Sequence, residues 1–165
     1  MGCDIHAFVE YRDGESWRAF SEEINLSRHY GAFAALAGVR NNPAWGLATL
    51  EPKGLPDDAS YITLDNYKYF ITDETNFDGG YVSHADAQKW IAEGVSHMID
   101  ERWVSDPDAH TPSHLTTEEF EGAIMQQDLE LISTRDDVEY LATLGLMKHL
   151  EKNGYKARLV FWFDN

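Results

Sequence analysis

Asp4-Ile5-His6 puts a carboxylate and an imidazole two residues apart near the start of the chain. On an extended strand that spacing turns both side chains to one face, where they form a reasonable pair of ligands for a divalent metal. Near the other end, Arg158, Trp162 and Asp164 share one face of a second strand-like segment. If the two strands are neighbours, two carboxylates, an imidazole and a guanidinium gather beside an indole. Such a group can hold a metal, orient a water or clamp a phosphate. The plainer alternative is a structural polar cluster in which Asp4 pairs with Arg158 and His6 satisfies a backbone carbonyl.

A second group is Asp78-Gly79-Gly80-Tyr81-Val82-Ser83-His84, a turn feeding a helix start. Free amides and the helix dipole favour an anion there, and His84 adds an imidazole. The glycine spacing matches neither a P-loop nor a dinucleotide fingerprint, and ordinary capping accounts for Ser83. His110 and His114 are four apart but separated by Pro112, so they cannot share a helix face as metal pairs do and read as exposed loop histidines. His29, His97 and His149 receive no chemistry. No nucleophile elbow, kinase signature or H-E-x-x-H sequence is present.

The elements that must position these residues follow from the pattern. Cys3 to Tyr11 alternates, with Cys3, Ile5, Ala7, Val9 and Tyr11 on one face and Asp4, His6, Phe8 and Glu10 on the other. Asp13-Gly14 suits a tight turn, and Ser16 to Phe20 completes a hairpin. A helix is expected from a Ser27 cap to about Arg40, ended by Asn41-Asn42-Pro43. Residues 42–82 read as irregular, with a short strand near Tyr67 to Thr72. A helix capped by Ser83 is expected to run to about Trp103, followed by a break at residues 106–112. Thr116 with Glu119 starts the next, carrying Phe120, Ile124, Leu129 and Leu131 inward. Thr134 with Asp137 starts a last helix that buries Val138, Leu141, Leu144, Met147 and Leu150 and stops at Asn153-Gly154. Lys156 to Phe163 is a strand with Leu159, Phe161 and Phe163 on one face. The expected fold is a single α+β domain over 1–165, a small antiparallel sheet of the N-terminal hairpin and C-terminal strand packed with about four helices.

Composition narrows the function classes. The 165 residues carry 13 Lys and Arg against 29 Asp and Glu, a net charge of −16, which repels nucleic acid. The apolar fraction of 43% supplies a core and argues against a disordered chain. A single cysteine, Cys3, leaves no intramolecular disulfide and fits a reducing cytoplasm. No signal sequence or apolar run of membrane-spanning length is expected. The acidic clusters fall mainly at turns and helix starts and read first as solvated surface. The sharper reading is a surface that imitates a nucleic acid and occupies a basic groove.

The opening Met-Gly-Cys-Asp-Ile-His with Val9-Glu10, and the closing Arg158-Leu-Val-Phe-Trp-Phe-Asp-Asn165, resemble a family of small, poorly characterised bacteriophage proteins. The resemblance continues through Tyr30, Phe33 to Asn41 and Glu51 to Asp58, and covers about half the chain. Asp78-Gly79 and Ser83-His84 are similar to a family segment before a helix, with Tyr81-Val82 standing around the place of an expected histidine. The resemblance implies a viral origin and a counter-defence role in the cytoplasm of an infected bacterium.

Three functions are then expected, in order. The first is a phage accessory protein binding a small anionic, nucleotide-like ligand through Asp4, His6, Arg40, His84, Arg158, Trp162 and Asp164. The second is a metal-dependent hydrolase acting on a phosphorylated or nucleotide substrate, with Asp4, His6, His84 and Asp164 around a divalent metal, the one cofactor the sequence brings into question. The third is an acidic DNA-mimic inhibitor of a host defence protein. Self-association into a homo-oligomer is compatible with all three.

Overall fold

The computed structural model describes residues 2–74, 79–126 and 138–165. The first strand, β1 (Asp4–Asp13), turns at Gly14 and returns as β2 (Ser16–Ala19). Gly14 has φ +69°, a left-handed conformation that glycine adopts without a side-chain clash. The last strand, β8 (Lys156–Asp164), lies antiparallel to β1 in a register that runs from Asp4 opposite Asp164 to Arg12 opposite Lys156. Adding β7 (His110–Thr116) gives a four-stranded antiparallel sheet in the order β2-β1-β8-β7.

One face of this sheet carries Cys3, Ile5, Ala7 and Val9 with Leu159, Phe161 and Phe163, all buried. Three helices cover it: α1 (Tyr30–Ala37), α4 (Thr117–Met125) and α5 (Val138–Lys152). The opposite face is covered as well. Phe8 and Trp162 pack with Tyr67, Leu55 and Ile99, contributed by α2 (Tyr61–Tyr67), the loop before it and β5 (Met98–Asp100). Burial on both sides explains why β8 is apolar almost without alternation.

A second sheet has shorter strands, in the order β4-β3-β6-β5: β3 (Lys68–Ile71), β4 (Tyr81–Val82) and β6 (Trp103–Ser105) join β5, with β3 and β4 parallel. Helix α3 (His84–Ala92) closes it over Val82, Ala87 and Val104. The fold is therefore α+β, with five α-helices and two four-stranded sheets among the described residues, where a single small sheet was expected.

The differences from expectation have local causes. α1 begins at Tyr30, because the His29 side chain rather than Ser27 accepts the Ala32 amide, and it stops at left-handed Gly38. Residues 42–82 hold a 3-10 turn (Pro43–Trp45) and α2, whose start is capped by Ser60. α3 has its Ser83 cap but ends before Gly94, and the residues that continued its apolar pattern form β5 and β6. The break around Pro112 is the bulged strand β7. Thr116 and Glu119 form the full capping box of α4. Leu129, Leu131 and the Thr134/Asp137 start fall outside the described residues. On α5 the buried stripe is Tyr140, Thr143, Leu144, Met147 and Leu150, whereas Val138 and Leu141 are exposed.

Candidate functional site

The β1–β8 pairing brings the two ends of the chain together and fixes which polar residues meet. Asp4, His6 and Glu10 lie on the same face as Arg158, Trp162 and Asp164, in the direct pairs Asp4/Asp164, His6/Trp162 and Glu10/Arg158. At one end, His6 lies between two carboxylates, with Nδ1 at 2.8 Å from Glu23 Oε1 and Nε2 at 3.0 Å from Asp164 Oδ2. Each carboxylate can only accept, so both bonds form together when the imidazole is protonated. Burial by itself lowers the His6 pKa, but the hydrogen bonds and charges of Asp164 and Glu23 outweigh it and hold His6 above the ordinary histidine value. The ring stacks on Trp162 at 5.8 Å, and Trp162 stacks on Phe8 at 5.4 Å.

Asp4 does not pair with Arg158. Six residues of strand separate their positions, about 20 Å at the usual rise. Asp4 instead receives Arg28 through Nε at 2.8 Å and Nη2 at 2.7 Å, and this fork holds its carboxyl below the usual range. The Asp4 amide donates to Asp164 Oδ1 at 3.1 Å. His6 likewise meets two carboxylates, not the backbone carbonyl of the plainer reading. Arg40 stands at the same end of the pair, donating to Asn165 Oδ1 at 3.2 Å, and burial pushes the nearby Cys3 thiol up while Arg40 acts against that. Asp106 also faces this group. Burial pushes its carboxyl up, the Asp108 amide opposes that, and the charges of His6 and Asp164 act on it in opposite senses.

Arg158 sits at the far end of the same face and is almost wholly buried. Its Nε donates to Glu10 Oε2 at 2.7 Å, its Nη1 to Asp58 Oδ1 at 2.8 Å and its Nη2 to the Asp58 carbonyl at 3.1 Å. The guanidinium lies 3.9 Å from the centre of the Trp17 ring. Glu10, fully buried, accepts from the Ser60 amide at 2.6 Å and the Thr63 hydroxyl at 2.7 Å through its other oxygen. The guanidinium is thereby neutralised and each of its three nitrogens is engaged, which leaves no paired N–H fork for a phosphate.

His84 does not join the others. It belongs to the second sheet's helix, where Asp73 accepts its amide at 3.0 Å and meets Nδ1 at 2.9 Å. Among the described residues, no three His, Cys, Asp or Glu side chains are arranged to hold a metal ion. The expected metal set of Asp4, His6, His84 and Asp164 is not assembled: Arg28 occupies Asp4, His6 lies between its carboxylates and His84 is elsewhere.

Beside the His6 pair is a cleft of about 380 Å³ between the segment after β2 and α2, lined by Glu22, Glu23, Tyr61, Ile62, Asp65 and Asn66. Three carboxylates line the cleft with Tyr61, which is 73% exposed; no Lys or Arg does, and of the three Glu23 is the one bonded to His6. Its sequence signal is faint: Glu22-Glu23 is an adjacent acidic pair, but the α2 face lies in a segment that reads as loop. Glu10, Glu23, Arg28 and Asp106 were missed as partners for a related reason, since strand register decides which polar residues meet.

No known protein family, curated protein or solved structure matches the chain.

Proposed function

We propose that this protein is an acidic binding protein that captures a basic protein partner, with a Lys or Arg side chain of the partner seated in the Glu22/Glu23/Asp65 cleft against Tyr61. One observation carries this reading: Glu22, Glu23 and Asp65 line one cleft with the exposed Tyr61 ring and no Lys or Arg, and among the described residues only Glu23 of the three is engaged, by His6. A guanidinium entering there meets charge, hydrogen-bond acceptors and a π face together. The net charge of −16 steers such a partner from a distance. The resemblance of the chain ends to bacteriophage proteins adds a setting, the infected bacterium, in which the partner is a host defence protein whose groove takes an acidic surface.

This ranks the acidic inhibitor above the small anionic ligand. A nucleotide-like anion needs cations gathered in one place, whereas Arg158 is engaged by Glu10 and Asp58 at the far end of the strand pair from Arg40. The hydrolase reading needs a ligand set that the four candidate residues do not form.

Titration with hexa-arginine, followed by amide and side-chain chemical shifts, tests the proposal. Perturbations are expected to gather on Tyr61, Ile62 and Asp65. Affinity should fall with added salt and by about tenfold in Glu22→Lys/Asp65→Lys. Shifts spread evenly over the acidic surface, or unchanged affinity in a folded double variant, would overturn it.

A further inference from the structure

A second concavity, independent of the acidic cleft, lies between the two sheets. It measures about 450 Å³ and is bounded by the loop before α2, by α2 itself and by the start of β5. Leu55, Pro56, Leu64, Met98, Ile99 and Pro112 supply its apolar wall. That size is within the range of pockets that enclose a small organic molecule.

Its polar groups are few and specific. Tyr67 is 4% exposed, and its hydroxyl has no hydrogen-bond partner among the described residues. Its ring is fixed edge-on to Trp162 at 5.1 Å. His97 is held by Ser105, whose buried Oγ accepts the His97 amide at 3.0 Å and lies 3.2 Å from His97 Nδ1. With one acceptor site used, the buried hydroxyl satisfies its own hydrogen by donating to Nδ1, its remaining partner among the described residues. In that tautomer the ring proton is on Nε2, the nitrogen not held by Ser105, which makes it a donor for a ligand beside His97. Asp57 adds an acceptor, and no Lys or Arg lines the space.

We propose that this cavity is a binding site for an uncharged, planar heteroaromatic molecule of one or two fused rings, bound between the Leu64 and Ile99 walls. A ring acceptor takes the His97 Nε2 hydrogen, and a ring or exocyclic N–H is directed to Asp57. Anionic ligands are disfavoured, because they would meet Asp57 with no compensating cation. The Tyr67 hydroxyl, which has no partner among the described residues, gives the ligand a third polar contact.

Benzimidazole, neutral near pH 7, is a suitable probe because it has one ring acceptor and one N–H. Its 5-carboxylate derivative is the charged counterpart. Saturable shifts of the Leu64 and Ile99 methyls and of His97 Nε2 are expected on adding benzimidazole. The carboxylate should bind about tenfold more weakly, and His97→Ala should lose about fivefold in affinity, equivalent to one hydrogen bond. Leu64→Trp, which fills the cavity, should abolish binding. His97 is exposed, so its variant keeps the test valid if Leu64→Trp does not fold. Absence of saturable methyl shifts at millimolar probe, equal binding of the carboxylate, or full affinity in His97→Ala would overturn the proposal.

Discussion

The two sheets are built on different scales. The β2-β1-β8-β7 sheet has two long strands paired along nearly their whole length, and it is covered on both faces. The β4-β3-β6-β5 sheet has strands of two to four residues around a core of Val82, Ala87 and Val104. Neighbouring side chains such as Tyr81, Ile91 and Met98 stay substantially exposed. The first sheet is therefore the stable body, and the second is a smaller layer whose opening costs less than global unfolding. Both concavities lie where elements of the smaller layer or α2 meet the body, so the body supplies rigidity and the thinner parts supply shape.

Core truncation should separate the two regions most clearly. Phe161→Ala removes a fully buried ring from the large core and should cost about 3–5 kcal/mol, whereas Val104→Ala should cost about 1–2 kcal/mol. Urea midpoints at constant m measure both. Equal losses would mean that the second sheet is as deeply coupled to stability as the first.

Ion pairs give the next contrast. Arg158→Ala leaves Glu10 buried and unpaired and should cost about 3 kcal/mol. Lys89→Ala breaks the exposed Lys89–Glu93 pair on α3 and should change stability by less than about 0.5 kcal/mol. A double change of Glu10 and Arg158 to apolar residues of similar volume should recover part of the first loss. If Arg158→Ala alone proved neutral, the buried network would not be part of what holds the body together.

The same contrast explains what could be read from the sequence. β1 and β8 were legible because a long two-residue alternation and a dense β-branched and aromatic run leave few other solutions, and the Thr116/Glu119 box marked α4 correctly. The second sheet was not legible, because strands of two to four residues carry too few periods and Pro112 argued against β7. The α3 pattern ran past its end because apolar residues of β5 and β6 happened to continue the helical spacing across Gly94. In the site, the face shared by Asp4, His6, Arg158, Trp162 and Asp164 was visible, but the pairs were not. Register put Glu10 rather than Asp4 opposite Arg158, and Glu23 and Arg28 reach the strands from outside them. His84 looked like a partner because sequence carries no distance between one sheet and the other.

The smallest expected effect concerns His6, the titrating group fixed to the edge of the stable body. Its folded pKa lies above the unfolded value of about 6.5, so the protonated ring stabilises the fold. That contribution is fully present below about pH 6.5 and is lost as pH rises through the raised value. His6→Gln cannot titrate, and one amide can donate to Asp164 or Glu23 but cannot supply the charge. The His6 charge also lowers the carboxyls of Asp4 and Asp106, so its loss in the variant adds their coupling to the same comparison. Wild type should therefore exceed His6→Gln in stability most at pH 6, and the gap should close toward pH 9, as read from urea midpoints at each pH. A gap that stays constant would mean that the Glu23–His6–Asp164 contacts stabilise the fold through shape alone, and that the ring's charge adds nothing to the joining of the chain's two ends.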